Sequence, residues 1–112
     1  MKLSIHSHLE YVFAHPTDVL LQVEAAMIPE QRVLNAYIGL SDCEHFARVA
    51  AHDQIGERIW LRVDGQLVVD YRATVAIDRI LADCSMLPQV PPHQLPGETV
   101  QYLMPSRYCP SD

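Results

Sequence analysis

The sequence predicts an all-β protein: an antiparallel β-sandwich of roughly six to eight strands with a Pro-rich C-terminal extension. Three observations carry this. Long stretches alternate between apolar and polar residues, the period of a half-buried strand. Turn signals recur at roughly 8- to 12-residue spacing, the rhythm of short antiparallel strands. Six of the eight prolines are gathered at the end of the chain, from Pro88 onward, where they exclude helix interiors and central strands.

The elements follow in order. From Leu3 to Phe13, Leu3, Ile5, Leu9, Tyr11 and Phe13 share one face, with Ser7 the small polar member; Ser4, His6, His8, Glu10 and Val12 share the other. His15-Pro16 ends that strand, because proline has no ladder donor. Over residues 18–28, Leu21, Val23, Ala25 and Met27 share a strand face, while Leu20, Val23 and Met27 also fit a helix capped by Thr17 or Asp18. A strand agrees with the surroundings and is the reading adopted. Ile28-Pro29-Glu30-Gln31 is a turn. Residues 32–40 alternate again, with Leu34, Ala36, Ile38 and Leu40 on one side.

After a polar break at residues 41–44, residues 45–52 read as a strand and Asp53-Gln54-Ile55-Gly56 as a turn whose glycine supplies a positive φ. Residues 57–63 place Ile59, Leu61 and Val63 inward and Trp60 outward. Asp64-Gly65 is the strongest hairpin signal, since Asp-Gly suits a type I′ turn. The return strand, residues 66–80, carries Leu67, Val69, Tyr71, Ala73, Val75 and Ile77 on one face. Residues 1–87 are therefore expected to be the sandwich domain and residues 88–112 an extended Pro-rich linker.

Composition narrows the function classes. With 112 residues, 49% of them hydrophobic, the chain can bury one real core and is not a disordered sequence. No apolar run is long enough for a membrane-spanning helix, and the first residues do not read as a secretory signal peptide. The net charge is −6, and the eight basic residues are scattered, so neither nucleic acid nor an anionic membrane is an expected partner. Three cysteines, Cys43, Cys84 and Cys109, fit no disulfide framework, which points to a reducing, cytoplasmic setting.

Few residues suggest chemistry. Phosphate-loop, Cys-x-x-Cys, His-Glu-x-x-His and Gly-x-Ser-x-Gly patterns are all missing. His6 and His8 lie two apart on one strand face and could approach one metal, but zinc needs a third or fourth ligand that the neighbourhood does not signal; solvent-facing histidines are the simpler reading. In Asp42-Cys43-Glu44-His45-Phe46 the two adjacent carboxylates would raise the thiol pKa, so Cys43 reads as an ordinary turn thiol. Cys84 reads as a small buried hydrophobe. Cys109 has Arg107 nearby but no base beside it. Tyr11, Phe13, Tyr37, Trp60 and Tyr71 read as core and sheet-face packing, with an aromatic ligand groove as the alternative. No cofactor, metal or catalytic residue is therefore expected within the chain.

The order of features carries a resemblance. The opening strand Leu3-Ser4-Ile5-His6-Ser7-His8-Leu9-Glu10-Tyr11-Val12-Phe13 is followed by Asp53-Gln54-Ile55-Gly56-Glu57-Arg58. Asp64-Gly65 then leads into Gln66-Leu67-Val68-Val69, and the end is Leu103-Met104-Pro105-Ser106-Arg107-Tyr108-Cys109-Pro110-Ser111-Asp112. Over essentially its whole length this resembles the N-terminal region of bacterial transglutaminase-like proteins, a group also described as cysteine proteases. Glu57 stands where such proteins usually have asparagine after the turn glycine. The resemblance implies a non-catalytic β-sandwich that packs against a papain-like core and shapes substrate access. That core, with its Cys-His-Asp triad, would follow the linker; Cys43-Glu44-His45-Phe46 lacks the glycine and aspartate of the family's nucleophile motif, so no catalytic residue carries over.

On this reading the partner is a C-terminal catalytic domain of the same polypeptide. Tyr102, Leu103, Met104, Arg107 and Tyr108, too apolar and aromatic for a free tail, would lie at the seam between the two. Exposed in isolation, they favour weak self-association. The alternative is a free-standing sandwich module that takes a peptide or protein on a sheet edge.

Overall fold

A computed structural model of the chain describes residues 1–52 and 55–110. Two compact units divide it, residues 1–80 and residues 81–112. The first holds six strands: β1 (Lys2–Val12), β2 (Thr17–Leu21), β3 (Gln31–Leu40), β4 (His45–Val49), β5 (Arg58–Val63) and β6 (Gln66–Ile77). They form two antiparallel three-stranded sheets, ordered β1-β6-β3 and β2-β5-β4. The protein is all-β, as expected.

The two sheets are one ribbon folded over. Strand β1 runs beside β6 from Lys2↔Ala76 to Val12↔Gln66, and after a corner β2 runs beside β5 from Thr17↔Val63 to Leu21↔Ile59. On the other flank β3 pairs with β6 up to Leu40↔Val69, and β4 then pairs with β5 from His45↔Arg62. All three strand trains therefore bend at one line, through residues 13–16, 41–44 and 64–65. Hydrogen bonds stitch that line: Phe13 N–H to Gly65 O at 2.8 Å, Ser41 N–H to Val68 O at 3.0 Å, and Glu44 N–H to Arg62 O at 2.9 Å. The Ser41 hydroxyl accepts from Val68 N–H at 2.9 Å and donates to Gln66 O at 3.3 Å.

This geometry corrects the hairpin expected at Asp64-Gly65. Strands β5 and β6 belong to different sheets and do not pair. Gly65 does have a positive φ of 82°, so the left-handed residue is where the dipeptide placed it. It turns the chain from one layer to the other, because both strands already have partners that bend with them.

The core is the space inside the fold. Leu21, Ile59, Leu61 and Val63 of one sheet meet Leu67 and Val69 of the other, with Leu9, Phe13, Val19, Ile38 and Leu40 packed around them. Strand β6, with 12 residues, is twice as long as β5, with 6, so the first sheet outruns the second. Over the overhang, Tyr71, Ala73 and Val75 are covered by Val23 and Ala25 from the segment after β2. The strand expected over residues 18–28 accordingly stops at Leu21, opposite Ile59, where β5 has almost run out. Beyond it the backbone finds another partner: Ala25 N–H donates to the Tyr71 hydroxyl at 2.9 Å.

Other differences have local causes. In β3 the register shifts between Val33 and Asn35, which makes Leu34 the extra residue of a bulge. Val33 thus faces Val75 and packs on the core, while Leu34, expected inside, is exposed. Strand β4 ends at Val49 rather than residue 52, and β6 at Ile77 rather than residue 80, because β5 and β3 begin opposite those points. Gly56 has φ 60°, as its turn requires; Asp53 and Gln54 of that turn lie outside the described residues. In β1 the inward face is the expected one, but Leu3 and Tyr11 near its ends remain exposed.

The second unit has no buried side chain in its three 3₁₀ turns, Cys84–Met86, Pro92–Gln94 and Gly97–Leu103. These turns alternate with extended residues such as Leu87, Pro91, Leu95 and Met104. Proline starts each of the later two, at positions that need no donor.

Candidate functional site

The thiols come first, because a cysteine hydrolase would need one activated. Cys43 is half-buried and packs against the main core cluster, so it is less a turn thiol than a small core residue. Cys84, expected to be buried, is exposed: β6 ends at Ile77, and Cys84 falls in the first 3₁₀ turn with its Sγ 3.8 Å from Ala82 O. Cys109 is exposed too, and its N–H donates to the Ser106 hydroxyl at 3.1 Å.

Among the described residues a well-connected polar group lies on the outer face of the β1-β6-β3 sheet. His8 stands directly across from Asp70, and His6 across from Arg72. Asp70 is the hub: one carboxylate oxygen meets His6 Nε2 at 2.9 Å and His8 Nδ1 at 3.3 Å, and the other accepts from Arg72 Nε at 2.9 Å. His8 Nε2 also meets Glu10 at 2.9 Å. Among the described residues no set of three His, Cys, Asp or Glu side chains is arranged to hold a metal. The two histidines face solvent, as expected, and are also members of a surface ion-pair chain. Sequence reading found the histidines and missed Asp70, because cross-strand neighbours 62 residues away depend on register.

The electrostatics follow from the geometry. Hydrogen bonds from His6, Arg72 and His8 hold the Asp70 carboxyl well below the usual carboxylate range. Bonds to Glu10 and then Asp70 raise the His8 pKa above its ordinary 6.5. The depressed Asp70 favours the fold above the unfolded carboxylate pKa, and this is lost as pH falls through the folded value. The raised His8 favours the fold below pH 6.5, and this is lost as pH rises through its folded value. The chain is thus most favourable between about pH 4 and 6.5. Titration followed by NMR should show the His8 ring changing charge above pH 6.5. Glu10→Gln should bring it down, and an unmoved midpoint would contradict the assignment.

A cavity of about 440 Å³ opens where the first sheet outruns the second. Ala25, Val33, Ala36 and Tyr71 line its apolar side and Glu24, Arg48 and Glu57 its polar side. Arg48, opposite Ile59 on β4, is clamped between the carboxylates of Glu24 and Glu57, the latter at 3.0 Å. Both raise its pKa further, Glu24 more. The aromatics expected to pack divide by face. Tyr71 is in the core, Tyr11 stacks on Phe13 at 6.4 Å, and Trp60 and Tyr37 lie exposed on outer faces. Tyr102, Leu103, Met104 and Tyr108 are exposed, and Arg107 lies 5.9 Å over the Tyr108 ring.

No protein-family model matches the chain, and no curated protein matches it. Among solved structures it is similar to the crystal structure of a "putative cysteine protease" from Cytophaga hutchinsonii, with TM-score 0.83 at 25% sequence identity. The likeness covers 98% of this chain and 39% of that one, so this chain spans about two-fifths of its solved neighbour. No helix among the described residues is long and apolar enough to cross a membrane.

Proposed function

We propose that this chain is the non-catalytic N-terminal region of a transglutaminase-like cysteine hydrolase or acyltransferase, with residues 1–87 as its β-sandwich domain and residues 88–112 as the linker to the catalytic domain. The observation that carries this is the 98% to 39% coverage: the chain is similar to one part of a larger protein described as a "putative cysteine protease". The packing of Cys43 against the main core cluster supports it, since a thiol held there is poorly placed to attack a substrate. The remaining polypeptide would then bring the nucleophile and its base. Tyr102, Leu103, Met104, Arg107 and Tyr108 would form the seam with that domain, because their exposed apolar surface is costly in water and cheap against a partner.

The test compares residues 1–112 with the intact polypeptide in two assays, peptide hydrolysis and amine incorporation into a glutamine substrate. Turnover is expected from the intact polypeptide alone. Turnover by residues 1–112 that disappears with Cys43→Ala would overturn the reading.

A further inference from the structure

Each sheet of the sandwich has two outer strands, and three of the four are blunted. Strands β2 and β4 are 5 residues long, too short to offer much of an edge, and β3 is broken by its bulge at Leu34. Strand β1 is different. It runs 11 residues in unbroken register with β6, with no proline and no bulge. Flanking hydrogen bonds show which groups it leaves open: Ile77 N–H donates to Met1 O and Phe13 N–H to Gly65 O, both at 2.8 Å. Odd-numbered residues therefore face β6. The backbone N–H and C=O groups of Lys2, Ser4, His6, His8, Glu10 and Val12 point away from it, to the open side.

We propose that this edge pairs with a second copy of itself, joining two sandwiches through a continuous six-stranded antiparallel sheet with its two-fold axis at Ser7. The register centred there uses every open group. Lys2 comes opposite the partner's Val12, Ser4 opposite the partner's Glu10, and His6 opposite the partner's His8, each pair exchanging both backbone bonds. On the inward face Leu3 meets the partner's Tyr11 and Ile5 the partner's Leu9. Leu3 and Tyr11 face the core yet are 41% and 50% exposed, since no strand lies outside them; the second copy covers both. Charge agrees with this register. Lys2 lies diagonally across from the partner's Glu10, within reach of a long side chain, and symmetry makes the pair twice. The histidines that meet at the centre each already face a carboxylate, Asp70 for His6 and both Asp70 and Glu10 for His8. A second copy is favoured over a foreign peptide because one strand supplies both halves of each match.

Sedimentation equilibrium and amide hydrogen exchange on the 112-residue chain test this. The expected result is a monomer–dimer equilibrium in which amides of the even-numbered β1 residues gain protection as concentration rises. Glu10→Lys turns both Lys2 attractions into repulsions and should weaken the dimer about tenfold. The charge-swapped Lys2→Glu/Glu10→Lys variant should recover it. A chain that stays monomeric, a dimer whose even-numbered β1 amides remain unprotected, or one indifferent to Glu10→Lys would each overturn the proposal.

Discussion

Leu67→Ala is expected to cost about 2–5 kcal/mol of stability, the range for truncating a fully buried leucine. Leu67 sits at the start of β6 just past the corner, is 0% exposed, and packs in the cluster shared by the two sheets. No backbone rearrangement can refill the space cheaply, because both neighbouring strand trains bend at the same line. The comparison is Leu20→Ala. Leu20 pairs with Trp60 on the outer face of the other sheet and is half exposed, so its truncation should cost less than about 1 kcal/mol. Urea melts with equal slopes would measure both. Equal losses at the two positions would mean that the inward and outward faces are misassigned.

The second large effect is Val69→Asp. Val69 lies between Leu9 on β1 and Leu40 on β3 and is fully buried. Among the described residues no polar or charged side chain is buried, so an ionised carboxylate there would find no side-chain donor or cation in the core. The penalty for stranding it, several kcal/mol, is comparable with the whole stability of a domain this size, about 5–15 kcal/mol. The variant should lose its dispersed amide NMR spectrum at neutral pH. The control is one residue earlier: Val68 pairs with Glu10 on the outer face, and Val68→Asp should keep the fold. If both variants fold alike, the period-two alternation of β6 is not what builds the core.

Much of this architecture was legible in the residues, for a physical reason. Alternation reports which face of a strand is dry, and β6 carries it without a break from Leu67 to Val75, so its inward set was read correctly. What alternation does not report is which strand lies alongside. The Asp64-Gly65 turn has the residues of a hairpin and serves as a corner, because the partners of β5 and β6 are supplied from residues far away in the chain. Leu34 has the spacing of an inward residue and points out, because the bulge is a property of the pair and not of one strand. Residues 22–28 have strand-like spacing but run past the end of β5, so Val23 and Ala25 become a cover for Tyr71. The site was less legible than the fold. His6 and His8 stood out by spacing, but Asp70 and Arg72 enter only through register, and it is Asp70 that decides what the histidines do.

The claim that residues 1–112 support catalysis without performing it is tested most directly by mapping the reactive thiol of the intact polypeptide. An electrophilic thiol probe is added until activity is lost, and the modified cysteine is located by peptide mass spectrometry. The same assay is run on the triple variant Cys43→Ala/Cys84→Ala/Cys109→Ala. The expected result is label on a cysteine outside residues 1–112 and full activity in the triple variant. Label on Cys43, Cys84 or Cys109, together with loss of turnover in the triple variant, would contradict it.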